Sequence, residues 1–199
     1  MAEASPSYHH GNLRHELLAL AETALEEGGV PGLSLRQLAR ELGVSHSAPR
    51  QHFADKQALL EALALRGLER LGEKLDEGLQ GADGDFEQRL TTFAHIYVDF
   101  ATRHPALLAL MFARKDDPDR PELRAANQRT FAAPVALIDG AMRDGEIVDD
   151  DPDRVAMAVL ATLQGLAAVI TGGVIGDRAP ETVVAGTIHT LLHGLRPNR

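Results

Sequence analysis

The sequence predicts an all-α protein of about nine helices, and three observations predict it. Alanine and leucine dominate a chain of 199 residues in which 4% are aromatic, while 44% are hydrophobic, enough to bury a core. β-Branched residues are sparse until the C-terminal third, and no alternating run of the kind a half-buried strand needs recurs. Apolar residues instead return every three or four positions, in blocks set apart by glycine and proline. The chain has no cysteine, which removes disulfides, thiolate metal sites and cysteine nucleophiles together and fits a reducing cytoplasm. Its N-terminus lacks the basic start and apolar run of a secretory signal.

Residues 1–7 read as a disordered arm. A first helix is expected from about Leu13 to Glu27, with Leu13, Leu17, Leu20, Ala21, Ala24 and Leu25 on one stripe and Gly28-Gly29 as its end. His9, His10 and His15 lack a carboxylate at ligand spacing, so no metal is expected there.

The densest set of signals follows, from Ser34 to Phe53. Ser34 stands at an N-cap position, Leu35, Leu38, Ala39 and Leu42 fall at helical spacing, and Gly43 can take φ > 0 at a helix end. Ser45 or Ser47 can cap a second helix, which must start between them if Pro49 is to lie in its first turn. Small Ala39 and Gly43 stand four positions apart, so two helices can cross closely. This is the logic of a helix-turn-helix, whose second helix enters the major groove of DNA. On that helix His46, Ser47, Arg50 and Gln51 share a face, while Val44, Ala48 and Phe53 can turn inward. Arg suits guanine, Gln suits adenine, and Ser suits a base edge or a phosphate.

A net charge of −9 looks wrong for a DNA-binding chain, but it is unevenly spread. Residues 34–56 carry Arg36, Arg40, Arg50 and Lys56 against Glu41 and Asp55, with His46 and His52 besides. The local surplus is positive but modest, so the salt dependence of DNA binding is expected to be shallow.

The anchors Ser34-Leu35-Arg36, Leu38-Ala39, Gly43-Val44-Ser45 and His52-Phe53-Ala54-Asp55-Lys56, in that order, resemble the TetR-type bacterial transcriptional regulators. The resemblance covers about Tyr8 to Leu71 and implies a DNA-binding set of Ser34, Arg36, Ser45, His46, Ser47, Arg50, Gln51, His52 and Lys56. One departure stands out: the family usually has Tyr at the position of Arg50. Domains are expected at 8–56, the DNA-binding helix-turn-helix, and at 57–199, a regulatory and dimerisation domain, joined by a long helix capped by Asp55.

That helix should run to about Leu79 on Leu60, Leu63, Leu68, Leu71 and Leu75, before a break at Gly81 to Asp85. Further helices are expected at about Phe86–Arg103, Pro105–Arg114, Pro121–Arg143, Asp153–Thr171 and Pro180–Leu195, each bounded by proline, glycine or acidic clusters. The run from Asp149 to Asp153 lacks the glycine and glutamate of a calcium loop and reads as an acidic helix start. Phe93, Tyr97, Met111, Phe112 and Phe131 fall on apolar stripes, and the resemblance implies a ligand cavity in this domain. They are therefore candidate pocket walls, with Gln128 and Gln164 as polar groups inside.

Val155 to Ile175 is the most apolar run. Gln164 in its middle, the Gly172-Gly173 stop and the lack of flanking basic clusters argue against a membrane span, and a helix apolar on all sides in a soluble protein is expected to be buried on all sides. With the apolar final helix it predicts a homodimer through a four-helix bundle, using Ala158, Ala161, Gly165, Ala168, Val184, Ile188, Leu191 and Leu192. His189 and His193 are spaced i, i+4 but show no third ligand in the sequence, so no metal is expected.

The expectation is a cytoplasmic, non-enzymatic regulator that binds a double-stranded DNA operator as a homodimer and is released by an unidentified small molecule, without cofactor or membrane. The alternative is a helical small-molecule-binding protein or enzyme with a vestigial helix-turn-helix.

Overall fold

The computed structural model describes residues 10–82, 84–113, 120–148 and 150–194, with backbone alone for 10–12. The expected N-terminal arm, His9, Asp149 and Leu195 lie outside them. Nine α-helices and one 3₁₀ turn make up the described residues: α1 (His10–Gly32), α2 (Leu35–Glu41), the turn Pro49–Gln51, α3 (Lys56–Gln80), α4 (Phe86–Arg103), α5 (Pro105–Phe112), α6 (Pro121–Thr130), α7 (Ala132–Arg143), α8 (Pro152–Thr171) and α9 (Pro180–His193). Among the described residues there is no strand.

The chain divides into two compact units, and the division differs from the boundary expected at residue 56. The first unit runs to Gly67 and takes in the segment from Ala106, which carries all but the first residue of α5; the second holds Leu68–Pro105 and the later helices.

In the first unit Leu13, Leu17, Leu18, Ala21 and Leu25 of α1 are buried. Gly29 takes φ 62, and the helix axis breaks there as the sequence suggests. The start of α5 shows why that segment belongs with α1. The Glu26 carboxylate of α1 caps α5, accepting from the backbone N–H groups of Ala106 and Leu107 at 3.0 Å each. Two of the helix's orphan donors are thereby satisfied from 80 residues away.

Gly67 of α3 lets α5 come close. A Cβ there would stand 2.8 Å from Met111 Sδ and 3.1 Å from Leu107 Cγ. Gly67→Ala is therefore expected to overpack this contact at a cost of about 1–3 kcal/mol, read as an earlier urea midpoint. An unchanged midpoint would show that α5 shifts freely.

In the second unit α4 packs against α7, α8 and α9. Its N-terminus is a capping box: Asp85 Oδ1 accepts from Gln88 N at 3.0 Å, and Gln88 Oε1 accepts from Asp85 N at 3.2 Å. The single helix expected over Pro121–Arg143 is two. Pro134 has no N–H to give the Thr130 carbonyl, and its ring would crowd that carbonyl, so the chain breaks at Phe131 and restarts with Pro134 in the first turn of α7. Thr130 is buried and its hydroxyl lies 3.0 Å from the Leu68 carbonyl of α3 and 2.9 Å from that of Ala126. Asp151 caps α8, accepting from Asp153 N at 3.1 Å with Pro152 in the first turn, the acidic start expected there.

Candidate nucleic-acid interface

The turn after α2 is built by three residues. Leu42 ends the helix, Gly43 takes φ 66, and Val44 N donates to the Ala39 carbonyl at 2.9 Å while Gly43 N donates to that of Arg40 at 3.2 Å. This pair of bonds is a Schellman motif, and the left-handed conformation at its centre is why glycine stands there. Ser34 occupies the N-cap position of α2 with extended backbone, although its side chain makes no capping bond.

The second element is not an α-helix. Residues 45–52 form successive i→i+3 bonds, from Ala48 N to Ser45 O at 3.0 Å through His52 N to Pro49 O at 3.0 Å, and only Phe53 N reaches back four residues, to Pro49 O at 2.9 Å. Pro49 explains this: in an α-helix capped by Ser45 its nitrogen would make the first i→i−4 bond, and it has no hydrogen to give. Pro49 is also buried, together with Phe53, whereas Val44 and Ala48 are half-buried. The guanidinium of Arg14 on α1 lies 5.5 Å from the centre of the Phe53 ring, so a cation–π contact joins α1 to the end of the turn.

Packing Pro49 and Phe53 inward leaves Ser45, His46, Ser47, Arg50 and Gln51 exposed together, the face that the sequence predicts. The hydroxyls of Ser45 and Ser47 lie 3.1 Å apart and bond to each other. Ser34 and Arg36 on α2 are exposed as well. His52 and Lys56 are half-buried, and His52 Nε2 is enclosed without a hydrogen-bond partner. Asp55 caps α3, accepting from Ala58 N at 2.8 Å, and holds Lys56 at the helix N-terminus.

The residues expected to wall a ligand pocket are mostly packed within the helices. Phe93, Tyr97 and Met111 are buried, Phe112, Phe131 and Gln164 are half-buried, and Gln128 is exposed. None of the seven lines the two largest hollows described. One, of about 550 Å³, lies among α3, α4 and α7 and is edged by Asp76, Phe86, Arg89, Leu137 and Glu146; the other, of about 800 Å³, lies among α4, α8 and α9. The aromatic stripe is core, with Phe93 edge-on to Tyr97 at 6.1 Å and Phe131 tilted against it at 6.4 Å. Tyr97 is nonetheless unusual core: its hydroxyl is buried with no partner, and burial raises its pKa well above the ordinary phenol value.

The predicted interface is corrected in part. Val184 and Ile188 are buried within the chain, so a partner cannot reach them, and Leu191 and Leu192 are half-buried. Ala158, Ala161, Gly165 and Ala168 are all exposed along one side of α8, while Val159, Leu163, Leu166 and Ala167 pack inward. α8 is long and apolar enough to cross a membrane by length and composition, yet only 22% of its most apolar stretch is buried in the single chain, so the burial on all sides expected of it is not met within one chain.

A short helix, a Schellman turn and a proline-started 3₁₀ segment showing a polar face define a helix-turn-helix DNA-binding regulator. The chain belongs to the TetR family: residues 17–63 match the family described as "Bacterial regulatory proteins, tetR family" and residues 90–195 match "Tetracyclin repressor-like, C-terminal domain". A protein with unknown function from Rhodococcus sp. RHA1 has a similar solved structure, 41% identical, covering 96% of this chain and 99% of that one with a TM-score of 0.84. The TetR family transcriptional regulator PfmR from Thermus thermophilus shares the fold at 22% identity, covering 91% and 99% of the two chains with a TM-score of 0.72. The uncharacterised HTH-type transcriptional regulator YobS of Bacillus subtilis (strain 168) is 36% identical over 87 residues, 44% of each chain.

Proposed function

We propose that this DNA-binding regulator acts as a cytoplasmic homodimeric repressor whose operator contacts come from Ser34, Arg36, Ser45, His46, Ser47, Arg50, Gln51 and Lys56. The observation that carries the reading is the exposed face from Ser45 to Gln51, held outward by burial of Pro49 and Phe53. His52 is a weaker member of the set, because its Nε2 is enclosed. Selection of bound sequences from random duplex DNA tests it. The expected product is an inverted repeat whose half-site centres lie about 10–10.5 base pairs or a multiple apart. Recovery of no motif, together with turnover of a metabolite, would instead support the helical enzyme or carrier.

The dimer is proposed through the exposed side of α8. A ligand is proposed around Tyr97, whose orphaned hydroxyl is the group that a polar ligand atom would satisfy on opening the core between Phe93 and Phe131. The ligand must favour the non-binding state; a 100-fold loss of DNA affinity needs about 2.7 kcal/mol of coupling. α3 carries residues of both units and is the natural lever. Tyr97→Phe removes the unsatisfied hydroxyl, so the ligand-free protein should gain stability, by about 1–3 kcal/mol, while losing sensitivity to any releasing molecule found by screening. A loss of stability would show that the hydroxyl is already satisfied.

A further inference from the structure

Two imidazoles and one carboxylate converge on the surface of the second unit. Glu87 stands in the first turn of α4, and His189 and His193 stand one turn apart near the end of α9. His189 Nδ1 is 2.9 Å from Glu87 Oε1, and His193 Nε2 is 3.0 Å from Glu87 Oε2. The imidazole centroids are 4.4 Å apart, and one donor atom from each of the three residues lies within 4.8 Å of the others. The third ligand that the sequence does not reveal therefore comes from 102 residues upstream of His189.

The chemistry of this trio is that of a metal site. Histidines at i and i+4 present two imidazoles from one helix face. Two histidines with one glutamate are a complete three-ligand zinc set, leaving a position for water or a small donor. Metal–ligand lengths of about 2.0–2.2 Å in a tetrahedron separate the donors by roughly 3.3–3.5 Å. The three donor atoms already lie within 4.8 Å of one another, and the side chains, 63%, 51% and 35% exposed, have room to settle to that spacing. Glu87 and His193 also edge the hollow of about 800 Å³, so the open position stands beside free space.

We propose that Glu87, His189 and His193 form a three-ligand site for a divalent transition-metal ion, zinc being the best match to two nitrogens and a carboxylate, that ties the start of α4 to the end of α9. The ion would replace the protons that now hold the trio together. The site is separate from the DNA-reading face and needs no operator to be tested.

Zinc chloride titrated calorimetrically into the metal-free full chain is the test. One ion per chain should bind saturably, and His193→Ala and Glu87→Gln should each weaken it by roughly tenfold or more. Zinc should raise the melting temperature of the native chain but not of Glu87→Gln, which keeps the size of the side chain while losing the anionic ligand. The variant His9→Ala with His10→Ala should bind as the native chain does. No saturable binding, equal binding by the native chain and both site variants, or binding lost only with His9 and His10 would overturn the site and leave a hydrogen-bonded clasp.

Discussion

If the proposed α8 interface holds the dimer, Gly165→Arg is expected to give a monomer without harming the fold of the chain. Gly165 is exposed on α8, and a Cβ built there meets nothing within 4 Å. Replacing a mid-helix glycine by arginine favours the helix by up to about 1 kcal/mol, so the isolated chain should be at least as stable as before. A partner helix packed on Ala158, Ala161 and Ala168 would meet a long charged side chain where the native surface lets backbones approach. Sedimentation should give half the mass, with helicity unchanged. Because one copy carries only a modest positive surplus around its helix-turn-helix, operator affinity should fall towards non-specific binding, by on the order of 10³-fold or more. A Gly165→Arg dimer would place the interface elsewhere.

Arg50→Ala is the second large effect. Arg50 is exposed on the face shared with His46, Ser47 and Gln51, and its backbone is fixed by the bond from Arg50 N to Ser47 O at 3.2 Å. Its loss should leave folding and dimer mass untouched and cost about 1–3 kcal/mol of DNA affinity per half-site. The family usually places a tyrosine at this position, so the chain's own base preference is most naturally written there. Unchanged affinity would remove Arg50 from the interface.

Most of the helix order was legible because its signals are local. Gly43, Asp55 and Pro152 act within a turn of themselves, and each stands where its chemistry places it, while Ser34 holds the N-cap position without a side-chain bond. Proline was legible in kind but not in consequence. Pro49 is compatible with a helix start, yet it converts the whole segment to 3₁₀ turns; Pro134 lies inside an apolar pattern that reads as continuous, yet it splits α6 from α7. Long-range features carried no local mark. Nothing near Pro105 points to Glu26, and nothing near His189 points to Glu87. Apolar patterning also does not say which neighbour covers an apolar side. Val184 and Ile188 are therefore claimed by their own chain, while Ala158, Ala161 and Ala168 of α8 are left exposed. The aromatic stripe likewise marks burial and not a cavity, and only the orphaned Tyr97 hydroxyl distinguishes one member from ordinary core.

The most direct test of the DNA-reading face is to repeat the random-duplex selection with Arg50→Ala beside the native chain. Both should select the same inverted repeat, with preference relaxed in the variant at one symmetry-related pair of base positions. An identical motif bound with identical affinity by both proteins would contradict a DNA-reading role for this face.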